Sequence, residues 1–144
     1  MFPVLNRLKK LDINQMLNTV LKSLENEIIA MNTDEQLFNK GVTIKNVKIT
    51  PGYAKSTKRA KIRKGQPINR VTTRDRGDYH RSFTVDFRGT EFEIDATMTT
   101  NKGFDLSGHL EKRYNGLEGL TEESITKLTD MIRPQLIKLV RSAI

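Results

Sequence analysis

The sequence predicts an α+β fold, in which N- and C-terminal helices pack on a small antiparallel sheet and a long basic loop projects from it. Apolar residues recur every three or four positions near both ends of the 144-residue chain, and they alternate strictly in its middle. The first pattern is typical of amphipathic helices and the second of half-buried strands. A chain of this length forms one domain, so residues 1–144 are assigned to a single domain.

The N-terminal helix is predicted from Asp12 to about Met31. Asp12 is suited to cap its first turn, and Gln15 stands at the capping-box position. The apolar stripe of this helix consists of Ile13, Leu17, Val20, Leu21, Leu24 and Ile28. Leu5, Leu8 and Leu11 are interpreted as a separate short turn or docking arm.

The middle of the chain predicts strands. Val42–Thr50 has β-like alternation whose phase changes at Lys45-Asn46, which predicts a bulge or bend. Ser82–Arg88 and Glu91–Thr97 form the clearest hairpin, with Gly89 at the turn. Each hairpin strand has one apolar and one polar face. The polar face is interpreted as an acidic docking face, formed by Glu91, Glu93 and Asp95.

Two further helices are predicted after the hairpin. Ser107–Tyr114 is a short candidate, and a longer helix begins after Thr121, whose hydroxyl is a good N-cap. Pro134 lacks an N–H, so we expect the last helix to kink or restart there.

One segment carries the formal net charge of +8. Gln36–Arg74 contains 11 Lys or Arg and no Asp or Glu, whereas the other residues sum to −3. Such a run repels itself and favours a polyanion or an acidic protein face as its partner. Residues 51–74 are therefore predicted to be an extended basic loop or arm, and Gln36–Arg74 as a whole is predicted to be poorly ordered in the isolated subunit and ordered in the assembly. The candidate contacts with a partner or DNA are Lys55, Lys58, Arg59, Lys61, Arg63, Lys64, Arg70 and Arg74.

No enzymatic site stands out. His80 and His109 lie far apart without ligand-like spacing, and His80 is placed on a turn or on the wet side of the hairpin. Phosphate-binding and nucleophile motifs are absent. We therefore predict no catalytic residue, metal or cofactor. No apolar run reaches the roughly 20 residues of a membrane span, so no membrane contact is predicted.

A corner precedes the hairpin. Gly77 is suited to a positive φ or a close backbone approach, and Asp75 is suited to bond nearby N–H groups. Ser82 and Phe83 then enter the first hairpin strand.

This corner resembles a motif in small neck and tail proteins of tailed bacteriophages. In tail-completion and related minor tail proteins, an aspartate, a threonine and a glycine precede a short helix that ends in a serine and an apolar residue. Asp75, Gly77, Ser82 and Phe83 match this order, whereas Arg76 replaces the threonine.

The flanking segments are similar to those of a protein group from Bacteroidetes phages and prophages. In that group a basic stretch precedes the corner, as Tyr53–Lys58 and Lys64–Pro67 do here. The segments after the strands are similar at Leu110–Gly116 and Leu117–Ser124. The resemblance covers roughly residues 42–144.

The resemblance implies a virion structural subunit at the head–tail connection, in the neck or in tail completion, assembled as a homo-oligomeric ring. Its other partners would be neck, portal or tail proteins. Its location would be the virion, and the host cytoplasm during assembly. The basic arm would contact either a neighbouring subunit or lumenal DNA, without base specificity.

Two other functions remain open. One is a free phage nucleic-acid-binding protein that uses the same basic segment. The other is a nuclease in which a divalent ion binds the alternating carboxylates Glu91, Glu93 and Asp95.

Overall fold

The computed structural model describes residues 10–144 and has the predicted α+β architecture. Of the short turn or docking arm predicted from Leu5, Leu8 and Leu11, the first two residues lie outside the described residues. In chain order, the elements are α1 (Ile13–Ser23), α2 (Glu25–Ala30), a π-helix (Met31–Lys40), α3 (Lys55–Arg63), α4 (Asp78–Arg81), β1 (Phe83–Arg88), β2 (Glu91–Ala96), α5 (Leu106–Tyr114) and α6 (Glu122–Ala143).

The N-terminal helical region begins at its predicted cap and is longer than predicted. The Asp12 carboxylate accepts a hydrogen bond from the Gln15 backbone N–H at 3.0 Å. The helix is interrupted at Leu24, continues as α2, and then widens into the π-helix. Gly41 ends this region with φ +63°, a left-handed conformation that favours glycine.

Strands β1 and β2 form the predicted antiparallel hairpin. Phe83 lies opposite Ala96, Val85 opposite Ile94, and Phe87 opposite Phe92, so that the apolar side chains of both strands share one face. That face joins Val20, Leu24 and Ile28 of the N-terminal helices and Leu128 of α6 in one core. Helices from both ends of the chain therefore cover the hairpin, as predicted.

Two buried amides attach the N-terminal region to the segment before α6. Asn32 donates to the Leu117 carbonyl oxygen at 2.9 Å and accepts from the Gly119 N–H at 2.8 Å. Gln36, one helical turn later, donates to the Gly119 carbonyl oxygen at 2.9 Å and accepts from the Thr121 N–H at 3.0 Å. Both side chains are almost fully buried. Because two of these bonds are buried and two are partly buried, loss of either amide would leave backbone groups without partners in a largely buried region.

The prediction of a strand at Val42–Thr50 is wrong. A reverse turn brings Val42 opposite Lys48 as an isolated bridge, and Asn46 has φ +58°. The alternating residues before Lys45-Asn46 and those after it thus lie on the two sides of a tight loop. The turn bends the chain at Lys45-Asn46, where a bulge or bend was predicted.

The last two predicted helices are present. Ser107–Tyr114 falls within α5, and the Thr121 hydroxyl accepts from the Ser124 N–H at 3.1 Å to cap α6. Of the kink or restart predicted at Pro134, the restart is absent: α6 runs without interruption from Glu122 to Ala143.

The prediction of an extended loop over residues 51–74 is not confirmed. Nine of these residues form α3, and the segment after it is attached to the body by side-chain hydrogen bonds. Gly65, with φ +71°, and Pro67 follow α3 directly, a pattern typical of a helix end.

Candidate partner-binding faces

Lys61 attaches α3 to the rest of the protein. Its side chain lies on the inner side of the helix and the residue is only 8% exposed. The ammonium donates to the Arg74 carbonyl oxygen at 3.1 Å and to Gln66 Oε1 at 3.3 Å, and it lies 4.8 Å from the centre of the Tyr53 ring. Lys61 was predicted to contact a partner, but the structure places it inside the protein.

The outer side of α3 forms a stripe of positive charge, which we call the basic face. Its members occupy the first, fourth, fifth and ninth positions of the helix, a spacing that places side chains on one side. Ile62, 59% exposed, lies among them. None of the four forms an ion pair within residues 10–144. The basic face consists of Lys55, Lys58, Arg59 and Arg63.

The other predicted basic contacts hold the segment to the body. Lys64 pairs with Asp75, with 2.7 Å between Nζ and Oδ1. Arg70 donates from Nε to the Phe38 carbonyl oxygen at 2.7 Å. The Arg74 guanidinium stacks over the Phe38 ring at 4.8 Å. The structure thus separates the eight predicted residues into four on the basic face and four in internal contacts.

The corner has the predicted conformation. Gly77 has φ +88° and directly precedes α4, and the Ser82 hydroxyl donates to the Tyr79 carbonyl oxygen at 2.7 Å. Phe83 then enters the core, 4% exposed. The Lys64 ammonium beside Asp75 holds the pKa of that carboxyl below its usual range. The corner is therefore a junction between the basic segment and the hairpin.

Of the two positions predicted for His80, a turn or the wet side of the hairpin, the structure shows the first, because His80 lies in the one-turn helix α4. His80 is 8% exposed, and its Nε2 lies 2.9 Å from Thr73 Oγ1 and 3.1 Å from the Thr72 carbonyl oxygen. Its Nδ1 is buried and has no hydrogen-bond partner among the described residues. Burial, and secondarily the Arg74 charge, lower the pKa of His80 to about 4. A four-residue helix is too short to show a periodic apolar pattern, so the burial of His80 could not be predicted from the sequence.

The polar side of the hairpin carries the predicted carboxylates together, and we call it the acidic face. Glu91, Glu93 and Asp95 are exposed and lie opposite Arg88, Asp86 and Thr84 respectively. Asp86 thus adds a fourth carboxylate, which pairs with Arg88 at 2.9 Å. The three predicted carboxylates form no ion pair with any residue from 10 to 144.

Glu118 connects the hairpin to the segment before α6. Its carboxylate accepts hydrogen bonds from the Ala96 N–H at 2.9 Å and from the Tyr79 hydroxyl at 3.1 Å. Burial raises the pKa of Glu118 to about 7, against the opposing effect of these two donors. Sequence reasoning gave no role to this residue, because its partners are distant in the chain.

The described residues present neither a metal cluster nor a membrane helix. Within residues 10–144, no three His, Asp or Glu side chains are grouped so that they could hold a metal ion. No helix of this region combines the length and apolar character that crossing a bilayer requires.

The chain matches no protein-family model, and no curated protein or solved structure is significantly similar to it. The resemblance to phage neck and tail proteins therefore rests on the corner and its flanking segments.

Proposed function

We propose that this chain is a structural subunit that associates head to tail through its basic and acidic faces. The observation that carries the proposal is the presence, on separate elements of one domain, of two exposed faces of opposite charge. Neither the cations of α3 nor the three carboxylates of β2 are neutralised within residues 10–144. Opposite potentials across an interface fix its register and disfavour wrong partners.

Contact between two different faces is heterologous, so a pair of subunits keeps one free basic face and one free acidic face. Repetition of such a contact produces a ring if the rotation closes. Ile62 lies within the basic face and would add apolar contact at the centre of the interface.

The position in a larger assembly follows from the phage resemblance. We propose the head–tail connection of a tailed-phage virion, with neck, portal or tail proteins as further partners. The subunit would be present in the host cytoplasm during assembly and in the finished particle, without enzymatic activity or a cofactor.

Charge reversal on the basic face tests the contact. The change of Lys58→Glu with Arg59→Glu should abolish oligomers in native mass spectrometry, because it places carboxylates against Glu91 and Glu93. A compensating Glu91→Lys with Glu93→Lys should restore assembly in part. The matched control is Lys138→Glu with Arg141→Glu on exposed positions of α6, which changes the net charge equally and should leave assembly intact. Assembly that survives the first reversal would refute the interface.

Contact with DNA is the second candidate, because α3 presents a continuous cationic stripe that no carboxylate of residues 10–144 neutralises. A phosphate-binding face should bind any DNA sequence, with log affinity falling against log salt by about 0.9 per phosphate contacted. Loss of DNA binding in the reversed variant with normal assembly would favour this function, as would absence of the protein from purified particles.

A further inference from the structure

A cleft of about 330 Å³ lies between α3, the segment that follows it, and α5. This volume is at the small end of the range for ligand sites. Tyr53 and Tyr114 contribute aromatic rings to its lining, and Leu106 and Leu110 contribute aliphatic side chains. The cleft is distinct from the outer side of α3, because the helix contributes its buried Lys61 to the lining.

Lys61 brings to this cleft a charge that no carboxylate of residues 10–144 pairs with directly, although Asp75 is close enough for the two charges to attract each other. Charged side chains that are almost fully buried are normally paired with an opposite charge. Both oxygens that accept from the Lys61 ammonium belong to neutral groups, the Gln66 side chain and the Arg74 backbone. Among residues 10–144, no carboxylate lies within ion-pair distance of it.

The other charged residues that line the cleft also leave an excess of positive charge. Asp75 already pairs with Lys64, and Asp78 already pairs with Arg81. Arg74 and Arg76 also line the cleft, and neither forms an ion pair with a carboxylate of the described chain. Three cations, Lys61, Arg74 and Arg76, thus line the cleft beside two carboxylates that already form ion pairs with Lys64 and Arg81.

We propose that this cleft binds a small phosphate-bearing molecule with a flat ring, the chemistry of a nucleoside monophosphate. The phosphate would accept hydrogen bonds from Lys61, Arg74 and Arg76, since charge-assisted bonds to phosphate are the strong ones. The ring would lie against Tyr53 and Tyr114, on the faces opposite those over which Lys61 and Arg113 already lie at 4.8 Å and 5.4 Å. The site is separate from the basic and acidic faces and does not depend on the proposed assembly.

Backbone amide NMR of the full chain tests the site, with inorganic phosphate and thymidine 5′-monophosphate as probes and thymidine as the uncharged comparison. Both phosphates should shift signals of residues 71–79 and of α5, and the nucleotide should bind more tightly. Thymidine should bind at least about tenfold more weakly than its monophosphate, because it makes no charge-assisted bond.

Two variants distinguish a built site from general cation binding. Lys61→Met keeps the length of the side chain and removes its charge, and it should abolish the shifts. Arg76→Gln changes an exposed side chain, so the fold is retained, and it should weaken phosphate binding about tenfold. The control is Lys112→Met on the exposed side of α5, which should bind as the unaltered chain does.

Three results would overturn the site. One is the absence of shifts with either phosphate at millimolar concentration. Another is a set of shifts that is confined to the outer side of α3, which would reveal adventitious attraction to the basic face. The third is binding that is equal in the unaltered chain and in both Lys61→Met and Arg76→Gln.

Discussion

At the scale of single residues, Gly77 shows how one backbone conformation orients the corner. Its φ of +88° turns the chain from the basic segment into α4, and the Arg81 guanidinium covers the position where a Cβ would stand. The approach from Arg81 Nη1 to that position is 2.8 Å, but the arginine head is flexible and can move. The cost of a side chain at Gly77 is therefore mainly the left-handed backbone.

Gly77→Val should lower the free energy of unfolding by about 1–3 kcal/mol, because a β-branched residue strongly disfavours this φ. Chemical denaturation measures the change. Gly52→Val is the matched control, since Gly52 has an ordinary φ and open space around it. An unaltered midpoint for Gly77→Val would show that the corner can adopt another backbone path.

His80 is a second residue whose surroundings have a measurable consequence. The pKa of His80 is lowered to about 4 in the folded protein, against an ordinary value of 6.5. Between these values the unfolded chain binds a proton that the native state does not. Stability from the neutral ring is therefore complete above pH 6.5 and is lost as pH falls through about 4.

Histidine-labelled NMR should find the His80 ring neutral at pH 5, and the ring should gain its proton only near pH 4. The corresponding loss of unfolding free energy is roughly 3 kcal/mol between pH 6.5 and 4. An apparent pKa near 6.5 would contradict the buried position.

Glu118 has the opposite effect on the pH dependence of stability. Its pKa of about 7 lies above the ordinary 4.5. Its contribution to the free energy of unfolding is therefore present at low pH and is lost as pH rises through 7. The free energy of unfolding should therefore be measured against pH in the Glu118→Gln variant, which lacks this opposing contribution.

At the scale of elements, α6 contains a defect that the rest of the molecule tolerates. Pro134 cannot donate a backbone hydrogen bond, and its ring crowds the preceding turn. The helix nevertheless continues to Ala143, while its apolar stripe packs on α1 and the core through Leu128 and Met131. Tertiary packing thus outweighs the intrinsic preference at Pro134.

Pro134→Ala should stabilise the protein by about 1–2 kcal/mol, because it restores a helical N–H and removes the ring at an exposed position. Thermal unfolding measures the gain. Lys138→Ala, also exposed on α6, should change stability by less than about 0.5 kcal/mol. A lower melting temperature for Pro134→Ala would indicate that the proline is needed for the path of the helix.

The elements that could be predicted from the sequence are those that depend on residues close together in the chain. The hairpin and the caps at Asp12 and Thr121 depend on neighbouring residues, and the sequence pattern predicted them. Helix α3 was mistaken for a loop because its many lysines and arginines suggested repulsion, although these residues have good helix propensity and Gly65 marks a helix end.

The residues of the candidate partner-binding faces were only partly predicted for the same reason. The acidic face could be predicted, because every second residue of a strand lies on the same side of the sheet. The inward position of Lys61, the burial of His80 and the role of Glu118 depend on contacts between distant residues, which periodicity does not reveal.

At the scale of the whole molecule, charge is divided between surfaces. The basic face lies on α3, and the acidic face lies on the hairpin that follows the corner. Exposed ion pairs contribute little individually, so a stable contact between such faces requires several charges acting together. The fold itself depends on a separate apolar core, which holds Ile28, Leu37 and Leu117 in full burial.

Assembly and folding should consequently respond differently to salt. Raising ionic strength from about 0.1 M to 1 M shortens the Debye length from about 10 Å to 3 Å, which screens exposed charges. Oligomer mass by light scattering should fall over this range, while the circular dichroism spectrum should stay constant. Oligomers that persist unchanged in 1 M salt would point to an apolar interface instead.

The anchoring of α3 by Lys61 has a kinetic consequence. A mobile basic arm would lose conformational entropy at each encounter with a partner, whereas a helix anchored by Lys61 has already lost that entropy when the chain folds. Encounters guided by preorganised charge reach productive geometry more often, so association through the proposed contact would be faster and would respond to ionic strength. Subunits of this kind would join a growing structure at a rate set by diffusion and screening, without waiting for a segment to order.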